Sequence, residues 1–81
     1  MILVLSEFDY QDKERLVIGV ASCRKSALIM IRDYYGKDAF LDDIKDIRDS
    51  NIDFSIGIKV DGCRYSVTAM DFLIDEIWST Y

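Results

Sequence analysis

The dipeptide Asp61-Gly62 joins two runs of β-forming residues, and this junction constrains the fold more than any other feature of the sequence. Aspartate followed by glycine tolerates the positive φ angles that a type I′ turn requires at both central positions. The sequence therefore predicts a hairpin between a strand at residues 54–60 and a strand at residues 63–67. Apolar and polar side chains alternate through the first of these strands, which predicts one buried face and one polar face.

A second hairpin is predicted near the beginning of the chain. Residues 2–8 and 16–21 are rich in apolar and β-branched side chains, and the polar stretch 9–14 separates them. Such composition is typical of β-strands. Because their apolar runs are nearly continuous, both strands are predicted to be central, with both faces at least partly covered.

Three helices are predicted from apolar side chains at helical spacing. The first begins with Ser22 as its N-cap and stops at Gly36. The second covers residues 38–49, and the third starts at a capping-box-like pair, Thr68 and Asp71. The predicted fold is a single α+β domain over residues 1–81, with the order β-β-α-α-β-β-α and a mostly antiparallel four-stranded sheet.

Composition excludes several classes of function. The 81 residues contain no histidine, which removes the commonest general base and metal ligand. The net charge of -5 disfavours nucleic-acid binding. Cys23 and Cys63 are 40 positions apart and are predicted to be reduced, buried thiols. No apolar run is long enough to span a membrane. We therefore expect a cytoplasmic protein without catalytic activity, cofactor or metal.

Two local alternatives to this expectation are weak. Asp49, Asn51 and Asp53 have the spacing of the first three calcium ligands of an EF-hand, but Phe54 stands where the turn glycine is required. Cys23, at the start of the first predicted helix, could act as an activated thiol, but a helix start followed by solvated cations explains the same residues.

The second predicted helix carries a stripe of carboxylates on one side, opposite its apolar residues. Its members are Asp38, Asp42, Asp46 and Asp49. Like charges four positions apart cost roughly 0.2 to 0.5 kcal/mol each, so helix stability alone would not select this pattern. The stripe is either a solvated face or a docking face for a protein partner with a basic surface. In size and charge, the chain resembles small acidic inhibitors from phages and mobile elements, some of which imitate nucleic acid.

Aromatic side chains form a second candidate contact surface on the third predicted helix. Its members are Phe72, Trp78 and Tyr81. Aromatic anchors dominate the binding energy of many interfaces, although core packing is the favoured explanation for Trp78. We therefore expect a protein-interaction module that binds through the carboxylate stripe and these aromatic residues. The alternative is a homodimer or larger homo-oligomer that associates through the third helix or an edge strand.

Overall fold

A computed structural model describes residues 2–47 and 52–71 of the chain. These residues form one antiparallel sheet and one helix. In chain order the elements are β1 (Leu3–Asp9), β2 (Glu14–Ala21), α1 (Arg24–Tyr35), β3 (Phe40–Leu41), β4 (Lys45–Asp46), β5 (Phe54–Val60) and β6 (Cys63–Asp71). The strands lie in the order β2-β1-β6-β5-β3, and β4 also pairs with β5.

Strand β1 lies in the middle of the sheet, between β2 and β6. It pairs with both neighbours over its whole length. Leu3 and Leu5 point to the side on which α1 packs, which we call the helix face, and they meet Ala27 and Ile31 of α1 in one buried cluster. Val4 and Ser6 are buried on the opposite side, which we call the far face. The prediction of a central strand is therefore confirmed for β1.

The hairpin predicted at Asp61-Gly62 is confirmed. Asp61 and Gly62 have φ angles of 52° and 77°, and Val60 pairs directly with Cys63 across the turn. On β5, Phe54, Ile56 and Ile58 are buried on the helix face, whereas the residues between them are more exposed. The alternation in the sequence therefore identified the buried face of this strand correctly.

The helix predicted at residues 38–49 is wrong, because residues 40–46 run along the outer edge of β5. In β3, Phe40 pairs with Lys59 of β5, and in β4, Asp46 pairs with Phe54 of β5. These bridges satisfy backbone groups that a helix would otherwise satisfy. Aspartate is a poor residue for a helix interior, and repulsion along the stripe would add to its cost. Pairing with β5 is therefore the more stable arrangement.

The start of the third predicted helix is also wrong. Residues 68–71 continue β6, where Thr68 and Ala69 pair with β1 on one side and with β5 on the other. Ala69 is fully buried, so the apolar spacing in this segment belongs to a strand. Residues 72–81 lie outside the described residues. The order with three helices is thus incorrect: the described part of the chain is mostly β, with one helix.

Helix α1 agrees with its prediction except at its start. It covers residues 24–35, and Cys23 is the N-cap in place of Ser22. Gly36, with φ of 91°, ends the helix as predicted, and its N–H donates to the carbonyl of Arg32. Within residues 2–47 and 52–71, no helix has the length and apolar content that crossing a membrane would require.

We predict that Gly62→Ala lowers the free energy of unfolding by about 1 to 2 kcal/mol, because a side chain at its φ of 77° is strained. Asp61→Asn is the matched control, since asparagine adopts positive φ readily, and it should leave stability within about 0.5 kcal/mol of wild type. Urea denaturation measures both. Equal stability of the two variants would contradict a type I′ turn.

Candidate functional site: the outer edge of β2

Strand β2 lies at the edge of the sheet although its composition is that of a central strand. Its inner edge pairs with β1, and no other strand among residues 2–47 and 52–71 pairs with it. Leu16, Val17 and Val20 are 56%, 53% and 55% exposed. Leu16 lies on the helix face opposite Glu7, whereas Val17 and Val20 lie on the far face opposite Ser6 and Val4. The strand therefore exposes apolar side chains on both of its faces.

A β-bulge interrupts β2 near its middle. Leu5 pairs with Gly19 but Ser6 pairs with Val17, so Ile18 is the extra residue. Ile18 packs against the core and lines a cavity between β2 and α1. A bulge twists an edge strand and re-aims its side chains. Here it places an additional apolar side chain beside the helix.

The cavity between β2 and α1 has a volume of about 320 Å³. Its lining residues are Leu5, Ile18, Met30, Asp33 and Tyr34. A Cβ on Gly19 would lie 2.6 Å from Cε of Met30, so the Met30 side chain lies directly against the β2 backbone. Methionine is flexible and adapts its shape to neighbouring groups. The floor of this cavity can therefore adjust to an inserted side chain.

Three carboxylates lie on the helix face near the first residue of β2. Glu14 is directly opposite Asp9, and Glu7 is two positions from Asp9 on β1. Asp9 also accepts hydrogen bonds from the backbone N–H groups of Gln11 and Asp12 at 2.9 and 3.4 Å. Among the described residues, no Lys or Arg nitrogen lies within 4.0 Å of these three carboxylates. We call Glu7, Asp9 and Glu14 the acidic end of β2.

Two tyrosines next to the acidic end respond to its charge. Tyr35, in the last turn of α1, donates a hydrogen bond to a carboxylate oxygen of Glu7. Burial, followed by this bond and the Glu7 charge, raises the pKa of Tyr35 well above its ordinary value. The pKa of Tyr65 is also raised, first by a hydrogen bond to Cys63, then by desolvation and the charge of Cys63, and least by the charges of Asp9 and Glu7. The charge of Glu7 therefore contributes to both shifts, although burial of Tyr35 and the Cys63 contact of Tyr65 contribute more.

The carboxylates of the predicted stripe do not share a helix face. Asp38 is exposed in the turn after α1. The carboxylate of Asp46 is 3.0 Å from a guanidinium nitrogen of Arg24, whose guanidinium also stacks over the ring of Phe54. Asp49 lies outside the described residues. A partner-binding role for these side chains stays a prediction, now without the common surface that motivated it.

Asp42 occupies a polar pocket on the far face of the sheet. Its N–H donates to the carbonyl of Gly57 at 2.9 Å, and a Cβ on Gly57 would meet its carboxylate at 2.7 Å. The pocket has a volume of about 190 Å³, and Lys45 and Arg64 line it together with Asp42. Gly57 therefore allows the carboxylate to lie flat on β5, a role that the sequence alone did not reveal.

The remaining predicted site residues do not form a binding surface among the described residues. Phe72, Trp78 and Tyr81 lie outside the described residues. Cys23 is exposed rather than buried, and both Cys23 and Cys63 are free thiols. A hydrogen bond with Ser26 lowers the pKa of the Cys23 thiol. The prediction that both thiols are buried is wrong for Cys23, because it lies at the solvated start of α1, and Cys63 is only partly buried.

Comparisons with protein-family models, with curated proteins and with solved structures found no match to this chain. The outer edge of β2 is therefore the feature that points to a function. Sequence reasoning missed this site because it predicted β2 to be central. The available signal was the continuous apolar run of β2, which required cover on both faces.

We predict that Tyr35→Phe lowers the free energy of unfolding by about 1.5 kcal/mol at neutral pH, because the hydrogen bond to a charged acceptor is lost. The folded-state pKa of Tyr35 is raised, so the unfolded chain releases this proton first once the pH exceeds the ordinary value of 10.0. The wild type should therefore lose up to about 1.4 kcal/mol per pH unit above that value from this group alone.

Urea denaturation between pH 8 and 12 measures this loss. Tyr35→Phe should lose less stability than the wild type over the alkaline range, since it has no proton to release there. Tyr34→Phe is the matched control, because Tyr34 is adjacent and half exposed. Parallel stability curves for wild type and Tyr35→Phe would contradict the effect of Glu7 and burial on this tyrosine.

Proposed function

We propose that the protein is a non-catalytic interaction module that binds an extended segment of a partner protein along the outer edge of β2. One observation carries this proposal: an eight-residue strand with the composition of a central strand stands at the edge of the sheet. An added strand would receive backbone hydrogen bonds and cover Leu16 on one face and Val17 and Val20 on the other.

Edge strands are normally protected, which makes the exposure of β2 informative. Short length, inward charges, prolines and bulges all discourage unwanted pairing. The opposite edge of this sheet is covered by the two-residue strands β3 and β4. β2 has only the bulge at Ile18 and the charged pair Glu14 and Arg15 at its start. The rest of this edge is apolar and open among the described residues.

A second copy of the chain is the alternative occupant of this edge. Two β2 strands paired about a two-fold axis at the strand centre would place the bulge at Ile18 against its own copy, which interrupts the hydrogen-bond ladder in its middle. Each copy also carries a net charge of -5, which opposes association at long range. These observations favour a partner with different charge over self-association.

A cytoplasmic location is part of this proposal. The free thiols of Cys23 and Cys63 support it, because exposed thiols persist in a reducing compartment. The absence of histidine from the sequence supports a role without catalysis.

We predict that seven-residue peptides selected on the immobilised protein from a displayed random library carry apolar or β-branched residues on both faces of the added strand, because Leu16 is exposed on one face of β2 and Val17 and Val20 on the other. Leu16→Lys should weaken their binding about tenfold or more, since a half-exposed leucine loses the burial that the added strand provides. Phe40→Lys is the matched control, because Phe40 is 62% exposed at the opposite edge of the sheet. Fluorescence anisotropy with the selected peptides measures both effects.

Backbone pairing is tested separately by methylating alternate amide nitrogens of a selected peptide. Methylation of the amides that face β2 should abolish binding, whereas methylation of the other set should be tolerated. The proposal fails if selected peptides bind Leu16→Lys and wild type equally, or if neither methylated set loses affinity. If light scattering shows a stable dimer of the wild type and Leu16→Lys dissociates it, the occupant of the β2 edge is a second copy of the chain.

A further inference from the structure

We infer that the partner segment runs antiparallel to β2 and carries a bulky apolar side chain, followed four residues later by a lysine or arginine. This inference rests on the proposed function and specifies the partner of the same site. It follows from the order in which a cavity, an apolar position and the acidic end succeed one another along β2.

Three successive rows on the helix face define this order. Gly19 pairs with Leu5, Leu16 pairs with Glu7, and Glu14 pairs with Asp9. On β1 these rows are about 6.7 Å apart, because Leu5, Glu7 and Asp9 are two residues apart and each residue adds about 3.3 Å. On β2 the bulge at Ile18 takes up the extra residue between Gly19 and Leu16. An added strand places its own side chains at the same spacing, so positions two apart meet consecutive rows.

The first row is next to the cavity. Gly19 has no side chain, and Ile18 and Met30 line the space between β2 and α1. A side chain of the partner at this row faces the cavity of about 320 Å³, which has room for one large apolar group. The second row presents Leu16, which favours another apolar side chain.

The third row is negatively charged, and none of the described Lys or Arg side chains forms an ion pair with it. Glu14 lies directly opposite Asp9, and like charges opposite each other destabilise a sheet. Arg15, which follows Glu14, points to the far face, where its guanidinium lies 5.5 Å from the centre of the Phe8 ring. Lys13, which precedes Glu14, makes no ion pair within 4.0 Å with these carboxylates. A cation from the partner at this row would relieve the repulsion and gain from the field of Glu7 as well.

The direction of the partner follows from the sheet. All strand pairs among residues 2–47 and 52–71 are antiparallel. A strand added antiparallel to β2 begins beside Ala21 and ends beside Glu14. Its apolar residues therefore come first and its cation last, which predicts the pattern apolar–x–apolar–x–lysine or arginine.

The test compares three synthetic seven-residue peptides. The forward peptide has phenylalanine, valine and lysine at its second, fourth and sixth positions and threonine elsewhere. The reversed peptide has the same composition in the opposite order, and the third carries glutamate in place of lysine. Fluorescence anisotropy at low salt should show that the forward peptide binds at least about threefold more tightly than either of the others.

Charge reversal at the acidic end provides the second measurement. Glu14→Lys should weaken binding of the forward peptide about threefold to tenfold and remove most of its salt dependence. Asp38→Lys changes the net charge equally at an exposed turn outside β2, so it is the matched control and should have little effect. Thermal unfolding of both variants verifies that they fold.

The outcomes separate this inference from the proposed function. If the three peptides bind with equal affinity and Leu16→Lys weakens all of them, the inference is wrong and edge binding stands. If the reversed peptide binds best, the antiparallel placement is wrong. If Leu16→Lys changes the affinity of no peptide, the proposed function fails as well. If Glu14→Lys and Asp38→Lys weaken peptide binding equally, the effect comes from the net charge of the protein and not from the acidic end, and the inference is overturned.

Discussion

The antiparallel pairing of β1 with β6 is the interaction on which the other features of the fold depend. It joins residues from the beginning of the chain, Leu3–Asp9, to residues more than fifty positions later. Without it the two hairpins would remain separate two-stranded ribbons, which are marginally stable in water. With it they form one sheet whose helix face is wide enough to bury Leu5, Phe54 and Val67 in one cluster with residues of α1. The same pairing sends β2 to the outside of the sheet.

The two edges of the sheet differ in a way that supports the proposed function. Outside β5, the chain contributes β3, β4 and a backbone hydrogen bond from Asp42 to Gly57, so this edge is largely occupied. Outside β2, the described residues supply no strand. Among the described residues, one edge is therefore covered by the chain itself and the other is apolar and uncovered. The proposed strand addition at β2 would account for this difference, and the acidic end of β2 would give it a direction.

Local patterns predicted the elements whose neighbours in sequence are also their neighbours in space. The hairpin at Asp61-Gly62, the buried side of β5 and most of α1 belong to this group. The helix prediction for residues 38–49 was wrong because the apolar residues there have helical spacing, whereas the backbone of residues 40–46 pairs with the distant strand β5. The prediction of a helix start at Thr68 and Asp71 was wrong for the same reason, since pairing with strands on both sides of β6 outweighs a local capping motif.

Residues close together in the chain were enough to predict the turn at Asp61-Gly62, the alternation of β5, the apolar content of β2 and most of α1, because these depend on φ preferences and side-chain periodicity within a few residues. The fold, and not the local sequence, places β2 at the edge while β1 is central, and it brings Glu7, Asp9 and Glu14 together on one face. Strand order depends on pairing between residues far apart in the chain. That pairing is set by which faces can be buried together, and no local pattern contains this information.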